Sequence, residues 1–495
     1  MSGDWSRARR DRAERLERAR GLADGKWVEA GRVPALLEAL LRPGDRVCLE
    51  GDNQKQADFL ARSLARVDPA RVHDLHLVQS VVALPEHLAL FEKGIGRRLD
   101  FSFSGPQAVR LAQLAGSGRL EIGAIHTYLE LYARYFVDLT PRVDVPGGWV
   151  DHVVRAPAPS TIEPLFTRDP ALIGEVQVLM AMMVIRGIYA EYGVQRLNHG
   201  IGFDTAAIEL LLPTYAEELG LRGKICRHWA LNPHPTLIPA VESGFVESVH
   251  SFGSELGMEA YVAARPDVFF TGRDGSLRSH RAFSQLAGHY ACDLFIGSTL
   301  QMDLEGNSST ATRSRVTGFG GAPNMGCDAR GRRHATPAWV RAGREAGGGA
   351  MPRGRKLVVQ LLETYREHME PAFVERLDAW DLAEAMRMEL PPVMIYGDDV
   401  THVVTEEGIA NLLLCRTPEE RAEAIRAVAG YTPVGRGRSR AAVEALRGRG
   451  AVRRPEDLGI DVRRATRDLL AARSVKDLVR WSGGLYDPPA RFRSW

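Results

Sequence analysis

Cysteine is scarce in this chain and scattered: Cys48, Cys226, Cys292, Cys327 and Cys415 form no CxxC pair and are odd in number. That distribution argues against a disulfide framework or a cysteine-based zinc site and fits reduced thiols in a cytoplasmic protein. An excess of one charge is missing too. Lys and Arg number 64 against 62 Asp and Glu, a formal net charge of +2, so no basic surplus points to nucleic acid. No apolar run is long enough to span a bilayer, and the Arg- and Glu-rich beginning lacks a signal-peptide core. A soluble, cytoplasmic chain with no membrane contact is expected. The sequence holds no GxxxxGK[ST], GxSxG or HExxH, which removes support for NTPase, triad-hydrolase and zincin readings. Its 14 histidines show no metal spacing; His228, His234 and His250 fall in irregular loops, and no metal is expected.

What the chain does have is length and alternation. With 495 residues, 45% of them hydrophobic, it can bury a large core in two or three domains. Short β-rich runs alternate with helical stretches, which predicts an α/β protein. Two segments look alike. Pro43–Asn53 leads into a helical pattern from Gln56 to Ala61, and Gly193–Asp204 leads into Thr205–Pro213. Their continuations, Val72–Ser80 and Phe245–Glu255, also match, so a duplicated unit and two related lobes flanking a cleft are expected. The prolines of Arg155–Ser160 suit a linker, dividing the chain into lobes at 1–160 and 161–430, with a helical C-terminal extension at 431–495. Leu172–Tyr192 reads as a long buried helix. Gly343–Gly354 and Gly435–Arg438 read as loops.

Three constellations carry possible chemistry. Gly200-Ile201-Gly202 precedes a helix, where free N–H groups and the dipole favour an anion; a tight structural turn explains it equally well. Val316–Gly326 places Gly318, Gly320 and Gly321 within four residues, as close backbone packing against a cofactor arm or another strand requires. Ser308–Arg315 beside it adds hydroxyls and two guanidinium groups suited to carboxylate or phosphate. Ser254-Glu255-Leu256-Gly257 follows a strand-like run, so Glu255 could face a cleft as nucleophile or base, or be an ordinary surface carboxylate.

Taken in order, Arg196–Thr205, Ser254–Met258 and Gly318–Met325 resemble the V-N-x-G-I-G-x-P-T turn, the S-E-N-G segment and the G-x-G-G-A loop of family I CoA-transferases. Thr401–Ala410 is similar to a late strand-helix of that superfamily. Within it the chain resembles malonate decarboxylase alpha subunits over nearly its whole length, through Cys48–Ala57, Asp74–Ser80, Asp100–Gln107, Ala124–Asp138, Leu231–Pro239 and Tyr486–Trp495. The resemblance implies two CoA-transferase-like lobes and an exchange of acetyl for malonyl on an acyl carrier protein. The thiol is a CoA-like prosthetic group of the phosphoribosyl-dephospho-CoA type on that carrier, with no tightly bound cofactor on this chain. Decarboxylase subunits are the other implied partners, and malonate and acetate the small ligands. Glu255 is implied as the catalytic carboxylate. Asn198, Gly200, Gly202, Gly318, Gly320, Gly321 and Asn324 are implied around the prosthetic group. Charge adds Arg281, Arg313 and Arg315 as candidate clamps for malonate. A free CoA transferase, a citrate lyase-type subunit, an acyl-CoA hydrolase and a non-catalytic assembly subunit are the alternatives. The chain departs from the family twice. A sizeable block, with its own glycine-bearing loop, is missing where Thr140 runs straight into Arg142–Pro146, and Leu256 replaces the usual Asn.

Overall fold

Leu357–Leu361 is buried along its whole length and Leu75–Val81 at every residue but His76, as parallel strands covered on both faces must be. The structure is a computed structural model that describes residues 2–49, 57–127, 147–251, 253, 255–270, 292–327, 337–346, 354–493 and 495. It is an α/β protein of two compact units. One comprises Met1–Glu163, Ala311–Gly320 and Asp381–Pro392; the other comprises Pro164–Thr310, Gly321–Trp380 and Val393–Trp495. The sequence reading had run the second lobe unbroken from 161 to 430 and set 431–495 apart. Among the described residues no helix is long and apolar enough to cross a membrane.

In the first unit, β1 (Arg46–Cys48), β2 (Leu75–Val81), β3 (Gly96–Phe103) and β4 (Glu121–Ile125) form a parallel sheet in chain order. Helices α1 (Asp58–Leu64), α2 (Pro85–Glu92) and α3 (Ala108–Gly116) make the crossovers. Right-handed connections that always advance in one direction place these helices on one face. Leu77, Leu99, Phe101, Leu111 and Ile122 form the core between them. The returning stretch Ala311–Gly320 is tied to the end of β3. There Ser104 Oγ donates to the Val316 carbonyl at 2.6 Å, and Phe103 forms a bridge with Gly318. Gly318 has φ +84, and a Cβ there would lie 2.3 Å from the Ser102 carbonyl oxygen.

In the second unit the strands of the large sheet are β5 (Arg196–His199), β6 (His228–Leu231), β7 (Ser248–Ser251), β8 (Phe269–Phe270), β9 (Leu294–Ser298), β10 (Leu357–Leu361), β11 (His402–Thr405), β12 (Gly408–Asn411) and β13 (Val452–Arg453). Their order across the sheet is β8-β7-β6-β5-β9-β10-β11-β12-β13, parallel up to β11 and antiparallel beyond it. The chain advances from β5 out to β8, then returns to the other side of β5 and advances the opposite way. The carboxyl ends of β5 and β9 therefore flank a topological switch point, where open α/β sheets bind ligands. The expected helix over Leu172–Tyr192 is α4 (Glu175–Val184), continued by π-helical turns over Ile185–Ala190; its residues Val178 and Met180–Ile185 are buried.

The duplication reads differently in three dimensions. β1-α1-β2 corresponds to β5, α5 (Phe203–Leu211) and β6, each a parallel strand-helix-strand step. The topological partner of β2 is thus β6, whereas the sequence match had paired it with β7, one strand further on. The strand-helix expected at Thr401–Ala410 is instead the β11-β12 hairpin, turning at Glu406-Glu407. A 3-10 turn over Leu412–Leu414 follows, and an α-helix comes only at Pro418–Val428. Gly343 lies in helix Pro337–Glu345 and Gly435 in the helical turn Pro433–Arg436, so neither starts the loop expected of it; residues 347–353 lie outside the described ones.

Candidate active site

At the end of β5 the chain must turn sharply beside β9, and Gly200 allows it: a Cβ there would stand 3.0 Å from the Gly297 Cα. The Gly200 amide donates to the Ile296 carbonyl at 2.7 Å, and Thr205 Oγ1 donates to the Gly200 carbonyl, also at 2.7 Å. At Gly202, a Cβ would lie 2.5 Å from Ser298 Oγ, which donates to Asp204 at 2.6 Å. The turn thus leads directly into α5. A small pocket opens here, lined by Gly200, Ile201, Gly202 and Thr205 together with Phe166, Arg168, His234 and Thr236. Asn198, expected to line the same wall, is buried and donates its amide to the Ala230 carbonyl inside the sheet.

Behind the pocket lies a buried polar chain. Glu209, on α5, is fully buried and accepts from His199 Nδ1 at 2.9 Å, His234 Nε2 at 2.9 Å and Thr236 Oγ1 at 2.5 Å. Burial pushes its carboxyl up, but His234 and His199 pull further, and it is held well below the usual carboxylate range. The two imidazoles take opposite states. Burial lowers His199, which is neutral: its Nδ1–H faces Glu209 and its Nε2 accepts from Tyr189 Oη at 2.7 Å. The π-helical turns after α4 carry that tyrosine. His234 places Nδ1 at 2.8 Å from the Asn232 carbonyl, which can only accept, and Nε2 against the Glu209 carboxylate. Both nitrogens must therefore carry hydrogen. Burial disfavours this charge, yet Glu209 outweighs burial and the imidazole is raised above its ordinary value.

Arg168 is the pocket's second cation. Its guanidinium stacks over Phe203 at 5.7 Å and donates to the Thr167 carbonyl at 3.3 Å. Burial lowers it to about 10, so it stays charged at neutral pH. Among the described residues no ion pair joins it to a carboxylate, which leaves a cation facing a pocket that holds another cation and a helix N-terminus.

Glu255 follows β7 and is 1% exposed, so the cleft-facing carboxylate suggested by sequence is in fact covered. The cover is the stretch Phe166–Thr167: the Phe166 amide donates to Glu255 Oε2 at 3.0 Å and Thr167 Oγ1 to Oε1 at 3.4 Å. Burial raises the carboxyl to about 7, against the pull of the Phe166 amide, Arg168, His234 and Thr167. The turn after it is pinned by Gly257, whose φ is +86 and whose Cβ would come within 1.9 Å of the Asp487 carbonyl oxygen. The Asp487 amide donates to the Gly257 carbonyl at 2.9 Å, beside fully buried Tyr486. Residues from the far end of the chain thus complete the glutamate's surroundings.

The remaining expected residues disperse. Gly318 and Gly320 fall in the first unit, as do Arg313 and Arg315; Gly321 and Asn324 fall in the second. Arg313 pairs with Asp381, and Arg281 lies outside the described residues. Sequence reasoning missed Arg168, Glu209, Thr236 and Tyr189 altogether and left His199 and His234 without a role. The Asn-Pro-His-Pro run at 232–235 was the one available signal, since paired prolines hold a histidine rigidly. Among the described residues no cluster of three or more His, Cys, Asp and Glu could hold a metal ion.

Comparison with known proteins bears on this geometry. A family model described as "Malonate decarboxylase, alpha subunit, transporter" matches residues 4–143 and again 140–495. The acetyl-S-ACP:malonate ACP transferase of Malonomonas rubra is 57% identical, the match covering 99% of both chains. A chain of the Pseudomonas malonate decarboxylase hetero-tetramer, solved in complex with malonate, is 59% identical; the match covers 99% of this chain and all of that one, with a TM-score of 0.90. The malonate decarboxylase alpha subunit of Acinetobacter baumannii is 53% identical, with 98% of this chain and 100% of that chain covered and a TM-score of 0.87. The M. rubra alignment runs over 548 positions, exceeding the 495 residues of this chain by 53, so it carries gaps of at least that length on this side. The two stretches of the family match meet at 140–143, where Thr140 runs straight into Arg142–Pro146.

Proposed function

The chain belongs to the malonate decarboxylase alpha-subunit family, and on that premise we propose that it is a carrier-protein transferase acting on malonate. It exchanges the acetyl group on the thiol of an acyl carrier protein for malonyl and releases acetate. The observation that carries this reading is the 57% identity, over 99% of both chains, to a curated acetyl-S-ACP:malonate ACP transferase. The carrier, with its CoA-like thiol, and decarboxylase subunits of the same complex are its partners.

Glu255 is the group that does the chemistry. Its carboxylate attacks the acetyl thioester carbonyl; the carrier thiolate leaves, and an acetyl-glutamyl anhydride remains. The thiolate then attacks the glutamyl carbonyl, expelling acetate and forming a glutamyl thioester. Malonate attacks that thioester, freeing the thiolate again, and the thiolate takes the malonyl group from the mixed anhydride and restores the carboxylate. Burial supports this role twice. It excludes the water that would hydrolyse either anhydride, and it makes the ionised carboxylate a high-energy, reactive species. A carboxyl at about 7 is ionised in a sizeable fraction at neutral pH, so nucleophile and proton balance coexist.

The test is an exchange assay with acetyl-loaded carrier and labelled malonate, run on wild type and Glu255→Ala together. Carrier-dependent malonyl thioester that disappears in the variant supports both the transferase and the glutamate. Survival of exchange in the variant removes the covalent route and leaves direct attack by malonate, with Glu255 orienting. A second reading, a non-catalytic assembly subunit, draws on the missing block at 140–143; well-folded wild type that binds the carrier without exchanging would select it.

A further inference from the structure

The last residues of the chain hold together the two stretches that meet at Glu255. The Tyr486 amide donates to Ser482 Oγ at 2.9 Å, the Asp487 amide to the Gly257 carbonyl at 2.9 Å, and Arg491 Nη2 to the Pro164 carbonyl at 3.4 Å. Pro488 and Pro489 stiffen this strap, and Arg493 Nε donates back to the Pro488 carbonyl at 2.7 Å. The strap thus ties the turn that carries Glu255 to the stretch whose Phe166 amide and Thr167 hydroxyl donate to the carboxylate.

Tyr486 is 1% exposed, and its phenol sits beside Thr167 and within the field of Glu255. Among the described residues no acceptor is aligned for the phenol hydrogen. Burying a hydroxyl without a partner is unfavourable, so such a group needs a reason to be there. The neighbouring bond is slack as well: Thr167 Oγ1 stands 3.4 Å from Glu255 Oε1, near the limit of a hydrogen bond. A neutral carboxyl attracts a donor less than a carboxylate does, and burial keeps Glu255 protonated up to about 7. Thr167 has one hydroxyl hydrogen, given to Glu255, so Tyr486 can only donate to Thr167 Oγ1. Ionisation of Glu255 draws Thr167 in and the phenol after it, closing a chain of two bonds that both point at the charge.

We propose that Tyr486 is a positioning residue for the transfer reaction: acting through Thr167, its hydroxyl steadies the ionised form of Glu255 that attacks the thioester. The inference rests on the transferase reading above and adds to it a residue from the far end of the chain. Arg168 and His234 face the carboxylate directly, with Glu209 beyond them as the counter-ion of His234; Asp487 and Arg493 act on the phenol from the strap itself. Removing one hydroxyl alters none of these charges, so Tyr486→Phe isolates the chain.

The test is the pH profile of carrier-dependent exchange, measured on the intact complex with its acetyl-loaded carrier. Without the phenol the carboxylate is harder to form, so the break near 7 moves to higher pH in Tyr486→Phe. Below the break the variant is slower by about 3–10-fold, and the gap narrows as pH rises. Thr167→Val cuts the chain at its middle; the break moves at least as far, and adding Tyr486→Phe moves it no further. A Tyr486→Phe profile that coincides with wild type overturns the proposal, as does one lowered by the same factor at every pH, which lost packing alone gives. A further shift in the double variant also overturns it, because Tyr486 then does not act through Thr167.

A second measurement does not depend on turnover. The urea stability of the protein is compared with that of Glu255→Gln from about pH 4 to about pH 9, first in the natural background and then with Tyr486→Phe in both. The pH at which the difference levels off marks ionisation of the carboxyl in the fold, and it moves up together with the rate break. A levelling pH that stays put overturns the proposal. If wild type does not exchange acyl groups yet the levelling pH moves, the transferase reading fails and the action of Tyr486 on Glu255 stands.

Discussion

Replacing Glu255 by Gln keeps the shape of a buried side chain and deletes one proton-binding site. In the unfolded chain this carboxyl titrates near 4.5; in the fold burial lifts it to about 7, despite the Phe166 amide, Arg168, His234 and Thr167. Below 4.5 the group is neutral in both states, and its contribution is at its most favourable. Between 4.5 and 7 the folded protein keeps a proton that the unfolded chain has released, so each pH unit removes about 1.4 kcal/mol of stability. Above 7 both states are ionised and the loss is complete. Two and a half units amount to about 3 kcal/mol, a large part of the stability of an ordinary domain. Gln has no such dependence. Urea unfolding of wild type and Glu255→Gln, in pairs from about pH 4 to about pH 8, should show the variant gaining about 3 kcal/mol on wild type across the window. The exchange rate gives the kinetic counterpart. Because attack needs the carboxylate, wild-type kcat/KM rises about tenfold per pH unit and levels off near 7. A stability difference that stays flat with pH would refute the burial argument, and a rate profile without a break near 7 would remove the carboxylate as attacking group.

Three further outcomes follow from the same contacts. Gly257→Ala forces a Cβ onto the Asp487 carbonyl at positive φ; it should cost about 2–4 kcal/mol in urea unfolding and lower exchange with it. Gly318→Ala meets the Ser102 carbonyl in the first unit, so the unfolding transition of that unit should fall by a similar 2–4 kcal/mol while the Glu255 pH break stays where it was. Tyr189→Phe leaves His199 Nε2 buried without its donor; a loss of about 1–3 kcal/mol is expected by chemical denaturation, and a value near zero would show that the ring is held by Glu209 alone.

How far these features could be read from the sequence depends on how local their cause is. The Gly200–Gly202 turn was legible because a sharp strand-to-helix turn demands small residues at fixed spacing, and it sits at the end of β5 as expected. Glu255 was legible as a strand-end carboxylate, but its burial was not, since Phe166 and Thr167 reach it from a distant stretch and Asp487 pins the turn after it. Glu209 is a polar residue on an otherwise apolar helix, Ala206 to Leu211, and nothing within that helix says that two imidazoles will neutralise it. The duplicated unit was read one strand out of step because β2, β6 and β7 are all parallel strands mixing apolar with polar residues, and topology alone tells them apart. The glycine loop looked like one element, yet its hydrogen bonds to Ser102 and Ser104 assign its first part to the first unit.

Asp487 resting on Gly257 has a consequence for how the site comes into being. As the chain leaves the ribosome, Phe166 and Thr167 emerge before Glu255, while Tyr486 and Asp487 come some 230 residues later. The residues that cover the carboxylate are therefore on hand when it appears, but the turn that carries it is pinned only when Asp487 docks on Gly257. Placement of the glutamate is thus completed by one of the last stretches of the chain to be made.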